Sequence, residues 1–241
     1  MPTIPLHIDQ IFRSNGILLD ELKKDQLGAF VSLLMEWNQR INLVSRRDPE
    51  NIWESHILHA VSPLFLLDIP SGTKLLDLGS GGGLPGVPLA IVHGGLKITL
   101  LDSIQKKTHA LYDIVKTLAL SDVQVVTGRA EELGKSKGLA ASFDAVIARA
   151  VASLSDLANW SRPFLHKRAL RPVRCKNALP GSKSDFSFPY LLALKGGDLQ
   201  REIHHAALRG KGITITELSV VFPGSEHLGL VDKKLVVVEY K

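Results

Sequence analysis

The run Asp77-Leu78-Gly79-Ser80-Gly81-Gly82-Gly83 places a carboxylate just ahead of glycines at alternate positions. Glycine reaches positive φ without steric cost and lets a ligand approach the backbone closely, so G-x-G-x-G suits a turn that cradles a small molecule. Asp102-Ser103 lies 23 residues beyond Gly79. A carboxylate there can accept hydrogen bonds from both hydroxyls of a ribose. Together the two features describe a nucleoside site. The residues alone also allow a plainer reading, in which the glycines form only a tight strand-to-helix turn and Asp102 or Ser103 caps a helix.

Two observations bear on which nucleoside would fit. A dinucleotide docks its pyrophosphate on a helix N-terminus, typically through G-x-G-x-x-G/A. Counted from Gly79, the last position of that pattern holds Leu84. Asp77 would repel a pyrophosphate but attract an ammonium group. The turn therefore points to S-adenosyl-L-methionine, and a nicotinamide-dependent oxidoreductase is the alternative.

The elements that position these residues can be read from hydrophobic spacing. Residues 1–70 read as a helical subdomain. Leu27, Phe30, Val31, Leu34, Trp37 and Ile41 form one apolar stripe, and Ile52, His56, Ala60 and Leu64 form another. Asn42 to Arg47 connects them, and Asp48-Pro49 has the form of a helix start. His56 falls on the apolar stripe and reads as a packed, hydrogen-bonded residue. Residues 71–241 change period. Short apolar runs at 74–78, 98–101, 123–126, 143–148 and 191–194 each end in glycine, aspartate or a polar residue, and helical stretches follow them. Alternating strands and helices imply an α/β fold with a mostly parallel, doubly wound sheet. Two further runs, 213–221 and 234–240, have no long helix between them and are expected to pair antiparallel. Seven strands with that ending suit a Rossmann-like methyltransferase sheet better than a six-stranded dinucleotide domain.

Composition narrows the setting. The chain has 241 residues, 45% of them hydrophobic, enough for one sizeable core. Its single cysteine, Cys175, excludes an internal disulfide, and no Cys/His cluster has zinc spacing. The absence of a signal-like segment and of long apolar runs points to the cytoplasm and away from a membrane. The net charge of +5 is modest but concentrated: no acidic residue occurs from Pro163 to Ser184, where Lys167, Arg168, Arg171, Arg174, Lys176 and Lys183 lie. Residues 167–188 read as a basic insertion, a surface loop without clear period.

Several motifs, in order along the chain, resemble one family. They are Trp37-Asn38 with Asn42-Leu43, His56-Ile57-Leu58, Asp77 to Pro88, Leu100-Leu101-Asp102-Ser103 with Lys106-Lys107, Gly128 to Glu132, Phe143-Asp144 with Ala148-Arg149-Ala150, and Ala193-Leu194-Lys195-Gly196. The chain is similar to the bacterial 16S ribosomal RNA guanine-N7 methyltransferases, also called glucose-inhibited division protein B. Leu84-Pro85-Gly86-Val87-Pro88 is the specific part; the basic insertion departs from the pattern. The resemblance implies a cofactor site of Gly79, Gly81, Leu84, Asp102, Ala130, Glu131 and Arg149, with Lys195 facing the pocket. These residues follow the ends of consecutive strands, where open α/β sheets bind ligands. Other roles remain open on the residues alone: Glu131 as a helix cap, Arg149 paired with Asp144, Lys195 as a solvated strand end, and Asn42 and Ser45 as local turn residues.

The chemistry implied is methyl transfer to a ring nitrogen. Guanine N7 has a lone pair and no proton to lose, so alignment rather than a general base is needed. No Asn/Asp-Pro-Pro-Tyr/Phe motif is present, and Cys175 is poorly placed as a nucleophile. Arg149 and Lys195 are expected to position base or cofactor, and Asn42 to contact the substrate from the helical subdomain. The expected partner is 16S ribosomal RNA or the small ribosomal subunit, met by a monomer. Arg40, Arg46, Arg47, Lys106 and Lys107 are candidates for phosphate contacts. Another RNA, a protein or a small molecule is the alternative methyl acceptor.

Overall fold

The computed structural model describes residues 4–44, 51–166, 172–176, 185–210, 212–230 and 232–241. Ser45, Arg46, Arg47, the Asp48-Pro49 helix start, Lys167, Arg168, Arg171 and Lys183 lie outside them. Helices α1 (Leu6–Ser14) and α2 (Glu21–Arg40) open the chain. Asp20 starts α2 by accepting the Lys23 backbone N–H through its side chain. A π-helical turn, Trp53–Leu58, then runs straight into α3 (His59–Leu66). Pro63 inside α3 has no N–H to give the His59 carbonyl, and the Ser62 hydroxyl donates to it instead at 2.9 Å.

The remainder alternates: β1 (Lys74–Leu78), α4 (Gly86–His93), β2 (Lys97–Asp102), α5 (Gln105–Thr117), β3 (Val123–Thr127), α6 (Ala130–Leu133), β4 (Ala145–Arg149) and α7 (Leu154–Ser161). After it come β5 (Val173–Arg174), β6 (Asp185–Phe186), β7 (Tyr190–Gly196), α8 (Gln200–Arg209), β8 (Ile213–Ser219) and β9 (Lys233–Tyr240). The seven-stranded sheet has the order β3-β2-β1-β4-β7-β9-β8. Its first five members are parallel; β9 pairs antiparallel with both β7 and β8. The seven expected strands all form, with ends shifted by a residue or two. In the fourth, Phe143 instead bridges Leu165 and the ladder begins at Ala145.

Strand residues alternate between two cores, as period two requires. Leu75, Ile98, Leu192 and Val237 face one core, shared with Phe12, Phe30, Leu34, Phe65, Val87 and Leu111 of the helices. Leu76, Leu101, Leu191 and Val236 face the other, closed by Leu157, Phe164 and Ala206. The N-terminal helices thus share a continuous apolar core with one face of the sheet.

Of the basic insertion, the described residues 172–176 and 185–188 depart from the surface loop expected. β5 and β6 form a two-stranded antiparallel ladder outside the main sheet. Val173 and Phe186 are fully buried, Cys175 bridges Leu67, and the Lys176 ammonium donates to the Leu64 carbonyl at 2.8 Å. Two-residue strands carry no readable period; this core contact with the end of α3 makes them. The ladder precedes the amino end of β7, so it lies away from the edge where the glycine turn sits.

Candidate active site

The sheet order reverses between β1 and β4, and the carboxyl ends of these strands flank a crevice. The glycine turn leaves β1 there. Gly79, Gly81 and Gly83 have φ of +76°, +55° and +86°, a region that side chains rarely enter. The Gly79 and Ser80 N–H groups donate to the Leu101 carbonyl at 2.7 and 3.0 Å, so β2 holds the turn against its neighbour. A Cβ on Gly79 would lie 2.6 Å from the Val151 Cγ2. Val151 lies two residues beyond the end of β4, so the loop after β4 lies over the turn.

A cleft of about 360 Å³ opens at this edge. Of the expected site residues, Gly79, Asp102, Ser103, Ala130 and Glu131 line it. Lys107, Gly128, Arg129, Val151 and Trp160 also line it and were not singled out from the sequence as cofactor contacts. Gly128 follows a strand and could have been found from position alone. Trp160 comes from α7, and only the tertiary fold brings it here.

Asp102 is 7% exposed and has a double role. Its Oδ2 accepts the Gly81 N–H and its Oδ1 the Ile104 N–H, each at 2.9 Å. The simple helix-cap alternative does not describe it: Ile104 occupies the N-cap position of α5, and no side-chain cap bond is made. Each carboxylate oxygen has two lone pairs, so both oxygens keep acceptor capacity toward a ligand.

Asp77 does not line the cleft. It is fully buried beneath the turn, where Oδ2 accepts the Gly86 N–H at 2.9 Å and Oδ1 has no partner. Burial pushes its carboxyl up to about 7, opposed by the Gly86 N–H and by the nearby Arg149 charge. Gly81 is held by Asp102 beside the cleft. Leu84, expected at the cofactor, is 7% exposed, packs into the core under the helix start, and does not line the cleft.

Arg149 and Lys195 also stand behind the walls. The Arg149 guanidinium donates to the His56 and Ser55 carbonyls at 2.9 and 3.1 Å and meets the His56 Nδ1 at 3.0 Å. Burial lowers its pKa to about 10, while Asp77 supports the charge. The Asp144 pairing left open by the sequence is not made: Asp144 accepts the Lys74 N–H at 2.7 Å, at the amino edge of the sheet. The π-helical turn presents the carbonyls that Arg149 takes, which joins β4 to the N-terminal helices. Lys195 is not a solvated strand end. Its ammonium lies 2.7 Å from the Ala152 carbonyl and 2.6 Å from the Glu202 Oε1, and Glu202 also accepts the Leu154 N–H at 2.5 Å. This pair fixes the loop that carries Val151.

Asn42 is exposed on the turn after α2, and the side chain holding that turn is Asn38, whose Oδ1 accepts the Leu43 and Val44 N–H groups at 2.8 and 3.0 Å. The segment lies on the glycine turn, for a Cβ on Gly82 would come 3.1 Å from the Leu43 Cβ. His56 is hydrogen-bonded, as expected, but half-buried. His59 is the fully packed histidine: neither ring nitrogen has a partner, and burial, then the Arg149 charge, lowers its pKa to about 3. Among the described residues, no His/Cys/Asp/Glu cluster could hold a metal ion, and no helix is long and apolar enough to cross a membrane.

Comparison with known proteins agrees with this architecture. Residues 23–171 match the family model described as rRNA small subunit methyltransferase G. A ribosomal RNA small subunit methyltransferase G from Porphyromonas gingivalis is 36% identical over 196 residues, covering 81% of this chain and 79% of the relative. A protein of the same name from Pseudomonas paraeruginosa is 40% identical over 206 residues, covering 82% and 94%. Among solved structures, a SAM-dependent methyltransferase from Aquifex aeolicus superposes with a TM-score of 0.53 at 13% identity, covering 85% of this chain and 97% of that one. Aeropyrum pernix fibrillarin with bound S-adenosyl-L-methionine gives 0.52 at 15% identity, covering 78% and 76%. These last two likenesses show the Rossmann-like methyltransferase fold. Motif order, topology and sequence identity converge: the chain belongs to the rRNA small subunit methyltransferase G family.

Proposed function

We propose that the protein transfers a methyl group from S-adenosyl-L-methionine to N7 of a guanine in 16S ribosomal RNA. Family membership supplies the substrate class, and one structural observation carries the cofactor choice. The first N–H of α4, where a pyrophosphate would dock, is already taken by the Asp77 carboxylate. The dinucleotide reading therefore loses its anion site. The side-chain-free surface of Gly79 and the remaining acceptor capacity of Asp102 fit an amino-acid nucleoside, with the Asp77 carboxylate buried beneath the turn as a nearby countercharge.

When bound, S-adenosyl-L-methionine supplies a methyl group activated on a positively charged sulfur. Guanine N7 offers a lone pair without a proton, so the chain needs no general base; alignment and water exclusion suffice. Asp102 binds ribose, Asp77 compensates the ammonium charge, and Ser103, Ala130 and Glu131 form the wall between β2 and β3. Gly81 gives its N–H to Asp102 and so holds the turn in place. Leu84 supports the turn from below. Arg149 and Lys195 are positioning residues, fixing the π-helical turn and the Val151 loop. Asn42, exposed beside the turn, contacts RNA, and Arg40, Lys106 and Lys107 approach phosphates together with Arg46 and Arg47. The enzyme works as a cytoplasmic monomer on the small ribosomal subunit.

Calorimetric titration tests the cofactor assignment. S-adenosyl-L-methionine should bind and NAD(H) should not; the reverse result would restore the oxidoreductase reading.

A further inference from the structure

A second groove, of about 530 Å³, lies beside the cofactor cleft and is separated from it by the first turn of α5. Trp37 at the end of α2, Lys106, His109 and Tyr112 of α5 wall it, and β3 forms its floor through Val125 and Thr127. β3 is the edge of the sheet. Lys107 lines the cofactor cleft and Lys106 the groove, so consecutive residues face the two openings.

The groove is braced rather than loose. Thr108 and Thr127 share a hydroxyl hydrogen bond of 2.7 Å, and the Trp37 Nε1 donates to the Asp113 Oδ2 at 3.2 Å. The His109 ring meets Trp37 edge-on at 5.9 Å, and the Arg40 guanidinium lies 5.3 Å from the Trp37 ring centre. Tyr112, by contrast, is 62% exposed. An exposed aromatic ring and an ammonium group lining one groove, on a fixed platform, are the combination that single-stranded nucleic acid uses. Any base can stack on the ring, and the cation meets its phosphate. Of the acidic groups nearby, Glu36 is paired with Arg40 at 2.9 Å, and the Asp113 carboxylate accepts the Trp37 indole N–H and keeps its charge. Lys106 in the groove and Lys116, one turn beyond Tyr112 on α5, outnumber that carboxylate and suit a polyanion.

We propose that this groove holds an unpaired nucleotide flanking the methylated guanine, its base stacked on Tyr112 and its phosphate beside Lys106. The inference rests on the ribosomal RNA reading and adds a subsite to it.

Methyl-transfer kinetics on unmethylated small subunits test it, with Tyr112→Ala, Tyr112→Phe and Lys106→Ala. Stacking losses on alanine substitution predict a KM for RNA raised roughly five- to 150-fold in Tyr112→Ala, with cofactor affinity unchanged. Tyr112→Phe keeps the ring and should return KM to within about twofold of wild type, since stacking needs only the π-face. Lys106→Ala should lower the slope of log KM against log salt by about 0.7 to 0.9, one phosphate contact. Methylation of RNA with KM unmoved in Tyr112→Ala overturns this inference alone. A dimer that Tyr112→Ala converts to monomer, with KM unmoved, gives the groove to a second copy and overturns it as well. No methylation of RNA by wild-type protein overturns the parent reading and this subsite with it.

Discussion

Replacing Asp77 with asparagine should abolish a specific pH dependence of stability. Asp77 is fully buried, and its carboxyl is pushed up from 3.8 to about 7 chiefly by desolvation. The raised pKa means that the folded protein binds this proton more tightly than the unfolded chain does. Asp77 therefore contributes stability that is fully present below about pH 4 and is lost as pH rises through 7. Between pH 5 and pH 8 this loss amounts to about 2.5 kcal/mol. At ~2–4 °C per kcal/mol for a chain of this size, Tm should fall by roughly 5–10 °C over that range from this group alone. Asparagine keeps the acceptor for the Gly86 N–H and does not titrate, so the variant should lack this component. Any constant cost of the buried amide cancels when pH trends are compared. Thermal melts of both proteins at pH 5, 6, 7 and 8 are the assay. Parallel Tm profiles across that range would refute the assignment of a raised pKa to Asp77.

Binding carries the same group with the opposite sign. If an ammonium group of the cofactor needs ionised Asp77, affinity should rise about eightfold from pH 6 to pH 7.5, and Asp77→Asn should flatten that rise; calorimetry at both pH values would show an unchanged slope if the idea is wrong. Gly79→Ala puts a Cβ at φ +76° and 2.6 Å from Val151, so it should cost about 1–3 kcal/mol in stability. Adding Val151→Ala should recover only the steric part, and a double variant no more stable than Gly79→Ala would show that the two residues do not meet. Arg149→Met strands the Ser55 and His56 carbonyls and removes the charge that lowers the Asp77 pKa, so the midpoint of the affinity rise should move to higher pH. An unmoved midpoint in a folded variant would separate the two groups.

The sheet was legible because its central strands are buried on both faces. KLLDL, ITLL and LLAL read as short apolar runs closed by glycine or aspartate, and parallel topology then placed their ends on one edge. The part of the candidate cleft made by local chain geometry was legible for the same reason: Gly79, Asp102, Ser103, Ala130 and Glu131 all line it. What could not be read was the direction of long side chains. Arg149 and Lys195 sit at the expected strand end and turn to partners far away in sequence, His56 and Ala152, instead of into the cleft. Leu84 belongs to the motif but serves the core. Trp160 and the β5–β6 ladder owe their positions to packing between elements that no local period records.

Labelled S-adenosyl-L-methionine incubated with unmethylated small ribosomal subunits, followed by digestion of the RNA to nucleosides and mass spectrometry, tests the central claim most directly. Label in 7-methylguanosine is the predicted result; label in any other nucleoside, or no label in RNA despite cofactor binding, would contradict it.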